Sequence, residues 1–394
     1  MVGKNENKLG IGCELLVELG AMNTAREICQ QPDVWGLTYQ KILEQKELIS
    51  EFLQEACAFD NLKIVLTGAG TSAYIGDIIS QSFQQFLGKN TWAYATTDIV
   101  THPQQYFCEK DTLLLVSFAR SGNSPESVVV VDLAESLCSR VYHLVVICNE
   151  GGELVRVVRE KKSYVIVLPE ETNDKSLAMT SSFTSMLLTG ILISRINRIE
   201  DYKKQVDRVV DCGQRILRDE VEGLRAVSDR AFDRAFFLGS GPLRGVACES
   251  QLKLQELTGG QVICKFDSYL GLRHGPMVVI DDKTLVVFIF SNNSHASHYE
   301  VDLVKSVNAS KSGLYLVGIG EDSKSDQDLD LYVPLSLDGE VLLEDDFLAI
   351  VTALPAQIIG FFKAINLGLL PDSPSVDGKI SRVVKGVYIY PFEV

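Results

Sequence analysis

Lys63-Ile-Val-Leu-Thr-Gly-Ala-Gly-Thr-Ser72 joins two kinds of sequence. Its first half is a continuous apolar run, the character of a strand buried on both faces. Its second half is a glycine turn, after which Ile75, Ile78, Ile79, Phe83 and Phe86 recur at helical spacing. The alternation continues downstream. Thr112–Ser117, Leu144–Ile147 and Tyr164–Leu168 are further short runs rich in Val, Leu and Ile, with longer amphipathic segments between them. Apolar strands separated by helices describe a doubly wound parallel sheet with helices on both faces, a three-layer αβα arrangement.

The pattern is written twice. Phe236-Phe-Leu-Gly-Ser-Gly241 answers Val65-Leu-Thr-Gly-Ala-Gly70 at an offset of 171. Thr284-Leu-Val-Val-Phe288 answers Thr112-Leu-Leu-Leu-Val116 at 172, and Leu316-Val-Gly-Ile-Gly-Glu321 answers Val145-Val-Ile-Cys-Asn-Glu150 at 171. Landmarks holding nearly one offset indicate two tandem α/β domains of duplicated design. Upstream, Ile42, Leu43, Leu48, Ile49 and Leu53 are spaced as on a helix, and the charged stretch Arg195–Arg230 reads as a helical connection. The expected organisation is a helical segment over 1–50, a first α/β domain over 51–205, and a second over 206–394 that includes a carboxy-terminal tail.

Of 394 residues, 46% are hydrophobic and 23% charged, which excludes a disordered, collagenous or coiled-coil chain. Lys and Arg number 37 against 52 Asp and Glu, a net charge of −15. Such a surface repels nucleic acid and anionic membranes, yet a local site can still oppose the global sign and hold a small anion. Nine scattered cysteines without a CxxC pair read as reduced thiols of a cytoplasmic protein. The five histidines form no HExxH, and the pair His295 and His298 reads as part of a polar loop, so neither metal nor cofactor is expected. Met1–Lys8 is polar with no apolar core behind it, giving no targeting signal. Phe347–Leu370 is mostly apolar but carries Gln357, Lys363 and Asn366, so a buried helix broken at Pro355 is expected rather than a membrane span.

In open parallel sheets, ligands bind beyond the carboxyl ends of the strands. After the first strand, Gly70, Thr71 and Ser72 precede a helix whose unpaired N–H groups suit an anion, with Thr71 and Ser72 able to cap it. Such a turn serves equally well as a plain connection. After the second strand comes Ser117-Phe-Ala-Arg-Ser-Gly-Asn-Ser-Pro-Glu126, where Arg120, Ser121, Asn123 and Ser124 surround a glycine and Pro125 suits the first helical position behind Ser124 as N-cap. Four donors exceed what a cap requires. In the second copy Pro242 stands where the first has Thr71, and Ser291-Asn-Asn-Ser294 has neither glycine nor arginine. One phosphate site per chain, in the first copy, is therefore expected.

The second copy carries acid–base groups instead. Gly245–Leu257 reads as a helix closed by Gly259-Gly260, and Glu249, Lys253 and Glu256 fall within about 60° of arc on it. A solvated salt-bridge stripe is one reading. The other is a partly buried carboxylate whose pKa is raised by desolvation and opposed by the lysine, a group suited to general base work. Arg273-His-Gly-Pro276 follows, with His274 either a structural loop residue or a second proton carrier.

Taken together, GAGTS, SFARSGNSPES, GSGPLRGVACESQLKLQEL and RHGP resemble the double sugar isomerase (SIS) domain, over about residues 50–394. The pattern is most similar to the tagatose-6-phosphate ketose/aldose isomerases, also described as galactosamine-6-phosphate deaminase/isomerases, and more distantly to the isomerase half of glucosamine-6-phosphate synthase. The resemblance implies that Glu256 moves a proton between sugar C2 and C1, that Glu249 and Lys253 assist it, that His274 opens the ring, and that Lys385 near the carboxy terminus contacts the open sugar. It also implies phosphate contacts from Ser72, Ser121 and Ser124, with Thr180 and Ser181 among the neighbouring candidates. Two departures stand out. Arg120 replaces a hydroxyl-bearing loop position, and no glutaminase domain precedes the repeats, so the deaminating direction is the natural one. The resemblance implies a homodimer or homotetramer with a shared active site, acting on a hexosamine 6-phosphate or ketohexose 6-phosphate. A plain aldose–ketose isomerase and a non-catalytic sugar-phosphate-binding regulator remain the alternatives.

Overall fold

Each series of apolar runs forms one parallel five-stranded sheet. In the first, β1 (Leu62–Gly68), β2 (Thr91–Ala95), β3 (Thr112–Ala119), β4 (Arg140–Ile147) and β5 (Ser163–Val167) lie in the order β2-β1-β3-β4-β5. In the second, β6 (Arg234–Leu238), β7 (Ile263–Asp267), β8 (Thr284–Ile289), β9 (Tyr315–Gly320) and β10 (Leu331–Pro334) lie in the order β10-β9-β8-β6-β7, the same winding read from the other edge. The duplication extends to register. Leu62 pairs with Thr112 and Arg234 with Thr284, the partners 50 residues apart in both sheets. The computed structural model describes residues 7–310, 313, 315–321, 328–336, 342–375, 377–384 and 386–392.

The predicted strands are the central ones and the edge strand β5, whose Tyr164-Val-Ile-Val run is apolar although half-exposed, and every residue of β3 and β8 is buried. The strands not anticipated, β2, β7 and β10, are half-exposed edges of mixed composition such as Ile263-Cys-Lys-Phe-Asp267, which a search for continuous apolar runs passes over. The amino-terminal region is helical as expected, in four segments from Cys13 to Cys57, and the connection between the sheets is helical from Ile196 to Ser228. His295 and His298 do not lie in a loop. They sit at the start of the helix Ser294–Ala309, which Asn293 caps by accepting from the His295 and Ala296 amides, and the His295 ring meets Tyr299 edge-on at 5.3 Å.

The chain divides into two compact units. One comprises the described residues up to Pro32, Lys175–Thr180 and Gln205–Lys379; the other comprises Asp33–Asp174, Ser181–Lys204 and the segment from Ile380. In the unit holding the first sheet, Val65, Leu113 and Leu115 pack against Ile99, Val130, Leu133 and Ala134. The helix Ser181–Ser194 is buried along its whole length, and Gly190 gives it room against Ile79 and Phe118. In the unit holding the second sheet, Phe236, Val286, Phe288 and Phe290 pack against Leu303, Val304 and Val307.

The apolar stretch after residue 344 forms two helices, Asp345–Val351 and Leu354–Asn366, interrupted at Thr352-Ala353 just before Pro355. Among the described residues it is the one helical stretch long and apolar enough to cross a membrane, and 94% of its most apolar window is buried inside the protein. Its second helix packs on the helix Pro242–Leu257, where a Cβ at Gly360 would lie 2.8 Å from Leu257 Cδ1. The most apolar element of this unit thereby forms the bed for the helix that bears the candidate acid–base residues.

Both copies bring a helix unusually close to the strand before it. A Cβ on Gly68 would lie 2.6 Å from the Ser72 carbonyl carbon, and one on the equivalent Gly239 would collide with the Leu243 carbonyl and lie 2.9 Å from the Arg244 nitrogen. These neighbours are backbone and cannot swing aside. Gly239→Ala should therefore destabilise by about 2–4 kcal/mol, seen as a fall of roughly 5–10 °C in the calorimetric melting midpoint. An unchanged midpoint would show that the strand–helix junction has slack.

Candidate active site

The turn after β1 is built on Gly70, whose φ of 55° and ψ of −129° favour glycine. Gly70, not Thr71 or Ser72, is the N-cap of the helix Thr71–Leu87. Thr71 and Ser72 are its first two residues, each only 4% exposed. The turn after β3 contains the buried Arg120 and Ser121 and then Gly122 at φ 69°, where a Cβ would lie 3.2 Å from the Gly152 backbone. Ser124 takes the N-cap position of the helix Pro125–Leu137 with Pro125 next, as expected, although its hydroxyl makes no capping bond. Because β1 and β3 are paired neighbours with β2 and β4 on their outer sides, both turns lie where the strand order reverses, the switch point of an open α/β sheet. Gly70, Thr71, Ser72, Arg120 and Ser121 are thus gathered at one end of one sheet.

Other candidates have structural duties. Asn123 is exposed, and its Oδ1 accepts from the Glu153 amide at 3.0 Å, tying the loop to the next helix. Asn149 Nδ2 donates to the Ser121 carbonyl at 3.0 Å, and the Ser121 hydroxyl accepts from the Asn123 amide at 3.3 Å. Ser181 donates to the Asp174 carboxylate, which also accepts from the Ser182 amide at 2.9 Å and the Ser182 hydroxyl at 2.6 Å. Ser181 therefore helps fasten the start of the helix Ser181–Ser194. Thr180 is buried and belongs to the other unit. Lys385 lies outside the described residues. No motif in the sequence marks Arg382, yet its carbonyl accepts from Arg120 Nη2 at 2.8 Å.

In the other unit, the helix Pro242–Leu257 starts from Gly241 at φ 53°, ψ −128°, nearly the geometry of Gly70. Lys253 lies between two carboxylates, with Nζ 2.5 Å from Glu256 Oε2 and 3.5 Å from Glu249 Oε1. The group is not a solvated stripe, since the side chains of Lys253 and Glu249 are each 1% exposed and that of Glu256 is 22% exposed. Removing an ammonium this far from water costs several kcal/mol, which pairing must offset. Glu256 alone among the three is both held by the ammonium and open to a molecule arriving from solvent, the disposition required of a general base. His274 is exposed, in the turn between Tyr269–Leu272 and Pro276–Val279 and before Gly275 at φ 123°. No described hydrogen bond joins its side chain to the Glu249–Lys253–Glu256 group.

The second sheet's own switch point is filled by carboxylates of the chain. After β8, Ser291 Oγ donates to Asp345 at 2.6 Å, the Asn292 amide donates to the same carboxylate at 2.9 Å, and the Ser291 amide donates to Glu300 at 3.0 Å. Asn292, where the first copy has Arg120, donates through Nδ2 to Glu321 at 2.5 Å, and Glu321 also binds Arg208 at 3.1 Å. Donors that could face an anion are spent on internal ones, and a phosphate there would meet three carboxylates.

Residues 59–193 match the family model described as SIS domain. The chain is 38% identical to a D-galactosamine-6-phosphate deaminase AgaS from Shewanella sp. (strain ANA-3), over 98% of this chain and 96% of the relative. It is 36% identical to one from Escherichia coli, over 94% and 96%. Among solved structures, one from Clostridium novyi NT superposes with a TM-score of 0.96 at 38% identity, covering 99% of this chain and 100% of the other. A tagatose-6-phosphate ketose/aldose isomerase from Escherichia coli gives 0.86 at 34%, covering 94% and 97%. Duplicated sheets, a glycine–hydroxyl turn in one and a buried Glu–Lys–Glu helix in the other thus occur in a chain that belongs to the SIS-domain sugar-phosphate enzymes, in the group of the AgaS deaminases.

Proposed function

We propose that this chain converts galactosamine 6-phosphate and water into tagatose 6-phosphate and ammonia. The observation that carries the reading is the ion group Glu249–Lys253–Glu256, with its single half-open carboxylate, in a chain matched end to end by deaminases of that name. The phosphate is assigned to the turns after β1 and β3, through Ser72, Ser121 and Ser124 with Arg120 adding charge. The self-satisfied loop after β8 supports one such site per chain.

The chemistry follows from the groups available. His274 shuttles the ring proton as the hemiacetal opens. Glu256 removes the proton from C2 of the open aldehyde, leaving an enolamine, and a proton returned to C1 gives a ketimine at C2. Water adds at C2, the carbon–nitrogen bond breaks, and ammonia leaves with the ketose phosphate. Lys253 orients the Glu256 carboxylate, and Glu249 supplies the second counter-charge that allows an ammonium to be buried. Lys385 is assigned to the open sugar on the resemblance alone. A homodimer or homotetramer with shared sites fits the exposure of His274, and nine scattered cysteines without a CxxC pair fit a reducing cytoplasm. Aldose–ketose isomerisation without ammonia loss is the second reading, favoured by the name of the Escherichia coli structural neighbour.

Galactosamine 6-phosphate should release ammonia stoichiometrically with ketose phosphate; ketose phosphate formed only from an aldose phosphate would favour the second reading. Glu256→Gln should lower kcat by about 10²–10⁴-fold, and turnover at the wild-type rate would remove Glu256 from the reaction. Ser121→Ala should raise KM by roughly tenfold with kcat little changed, the loss of one charge-assisted hydrogen bond; an unchanged KM would count against that loop as the phosphate site.

A further inference from the structure

Arg382 ties the carboxy-terminal segment to the candidate phosphate loop, and it does so at both ends of the residue. Its guanidinium donates through Nε to the Asp174 carbonyl and through Nη2 to Asn173 Oδ1, each at 2.7 Å. Its own carbonyl accepts from Arg120 Nη2 at 2.8 Å. The residue therefore bridges the loop after β5 and the loop after β3 of the same unit. Asp174 in turn fastens the start of the helix Ser181–Ser194, so the guanidinium is anchored to rigid backbone.

The rest of the segment has weak local support. Val384, Val387, Tyr388 and Tyr390 are exposed, the tyrosines at 69% and 79%. The far end borders a small cavity of about 150 Å³ that Ile389, Tyr390, Pro391 and Phe392 share with Val100, Val129 and Leu133. A segment this exposed opens at small free-energy cost unless a few specific bonds hold it. The bonds at Arg382 are of that kind, and two of them use a charged donor on a backbone carbonyl.

We propose that Arg382 is a positioning residue that couples phosphate occupancy to the seating of the carboxy-terminal segment, through the guanidinium of Arg120. This rests on the reading of the loop after β3 as the phosphate site. The Arg382 carbonyl holds Arg120 in the orientation found here. An anion bound at that loop restrains the same guanidinium and so holds the segment down in return. Coupling of this kind is reciprocal: whatever the seated segment adds to phosphate affinity, phosphate adds to the seating of the segment.

Hydrogen–deuterium exchange with saturating inorganic phosphate tests this on the full chain. In the wild type, phosphate should slow exchange both in the loop 117–127 and in the segment from Ile380. Arg382→Ala keeps the carbonyl but removes the guanidinium that seats it against Asn173 and Asp174, so the loop should still be protected, at higher phosphate, while the segment is not. The KM for galactosamine 6-phosphate should rise about tenfold. Arg382→Lys, which still reaches one carbonyl, should recover part of both effects, and a purely structural role would not move with phosphate. Protection of the loop without the segment in the wild type overturns the coupling, as does a fully protected segment in Arg382→Ala. Protection of neither overturns the phosphate site itself, and the coupling falls with it.

Discussion

A parallel sheet covered on both faces has no room for polar chemistry along its strands. β3 and β8 are buried at every residue, and their neighbours carry Val, Leu, Ile and Phe toward helices above and below. Chemistry is displaced to the ends of the strands, where backbone groups lose their partners and loops meet water. The rest of the architecture follows from this constraint. The glycines that matter, Gly68, Gly70, Gly122, Gly239 and Gly241, all stand at carboxyl ends, where a helix must begin within a few residues of a strand's finish.

The two copies then differ in what they place at equivalent ends. Near β1 and β3 the first copy keeps hydroxyls, a buried arginine and positive-φ glycines. Near β8 the second copy closes the same position with Asp345, Glu300 and Glu321. Its helix from Gly241 begins with a proline and carries instead a buried lysine between two glutamates. Duplication supplied one scaffold twice, and side chains at a few loop positions distinguish the two.

Much of this was legible in the sequence because it is local. Continuous apolar runs marked the central strands, glycine turns marked the strand–helix junctions, and a common offset revealed the repeat. The 3.6-residue spacing of Glu249, Lys253 and Glu256 placed them together, but it could not show that Lys253 and Glu249 are buried while Glu256 keeps some exposure. What escaped was long-range or only half-buried. The edge strands β2, β7 and β10 lack the continuous apolar signal. Ser181 was a candidate phosphate contact, and its bond to Asp174 escaped because Asp174 is itself positioned by tertiary structure. The clasp of Arg382 on Arg120 joins residues 262 positions apart, and the pairing of Ser291 with Asp345 spans 54; neither distance leaves a trace in local pattern.

The proposed function puts binding and proton transfer in different copies of one repeat, and that separation is its central claim. Its most direct test is calorimetric titration of galactosamine 6-phosphate into Glu256→Gln protein. The account predicts an affinity close to that of phosphate-site-intact wild-type protein, with no heat from turnover. Loss of binding together with turnover would contradict it, because the carboxylate would then be holding the sugar phosphate rather than moving its proton.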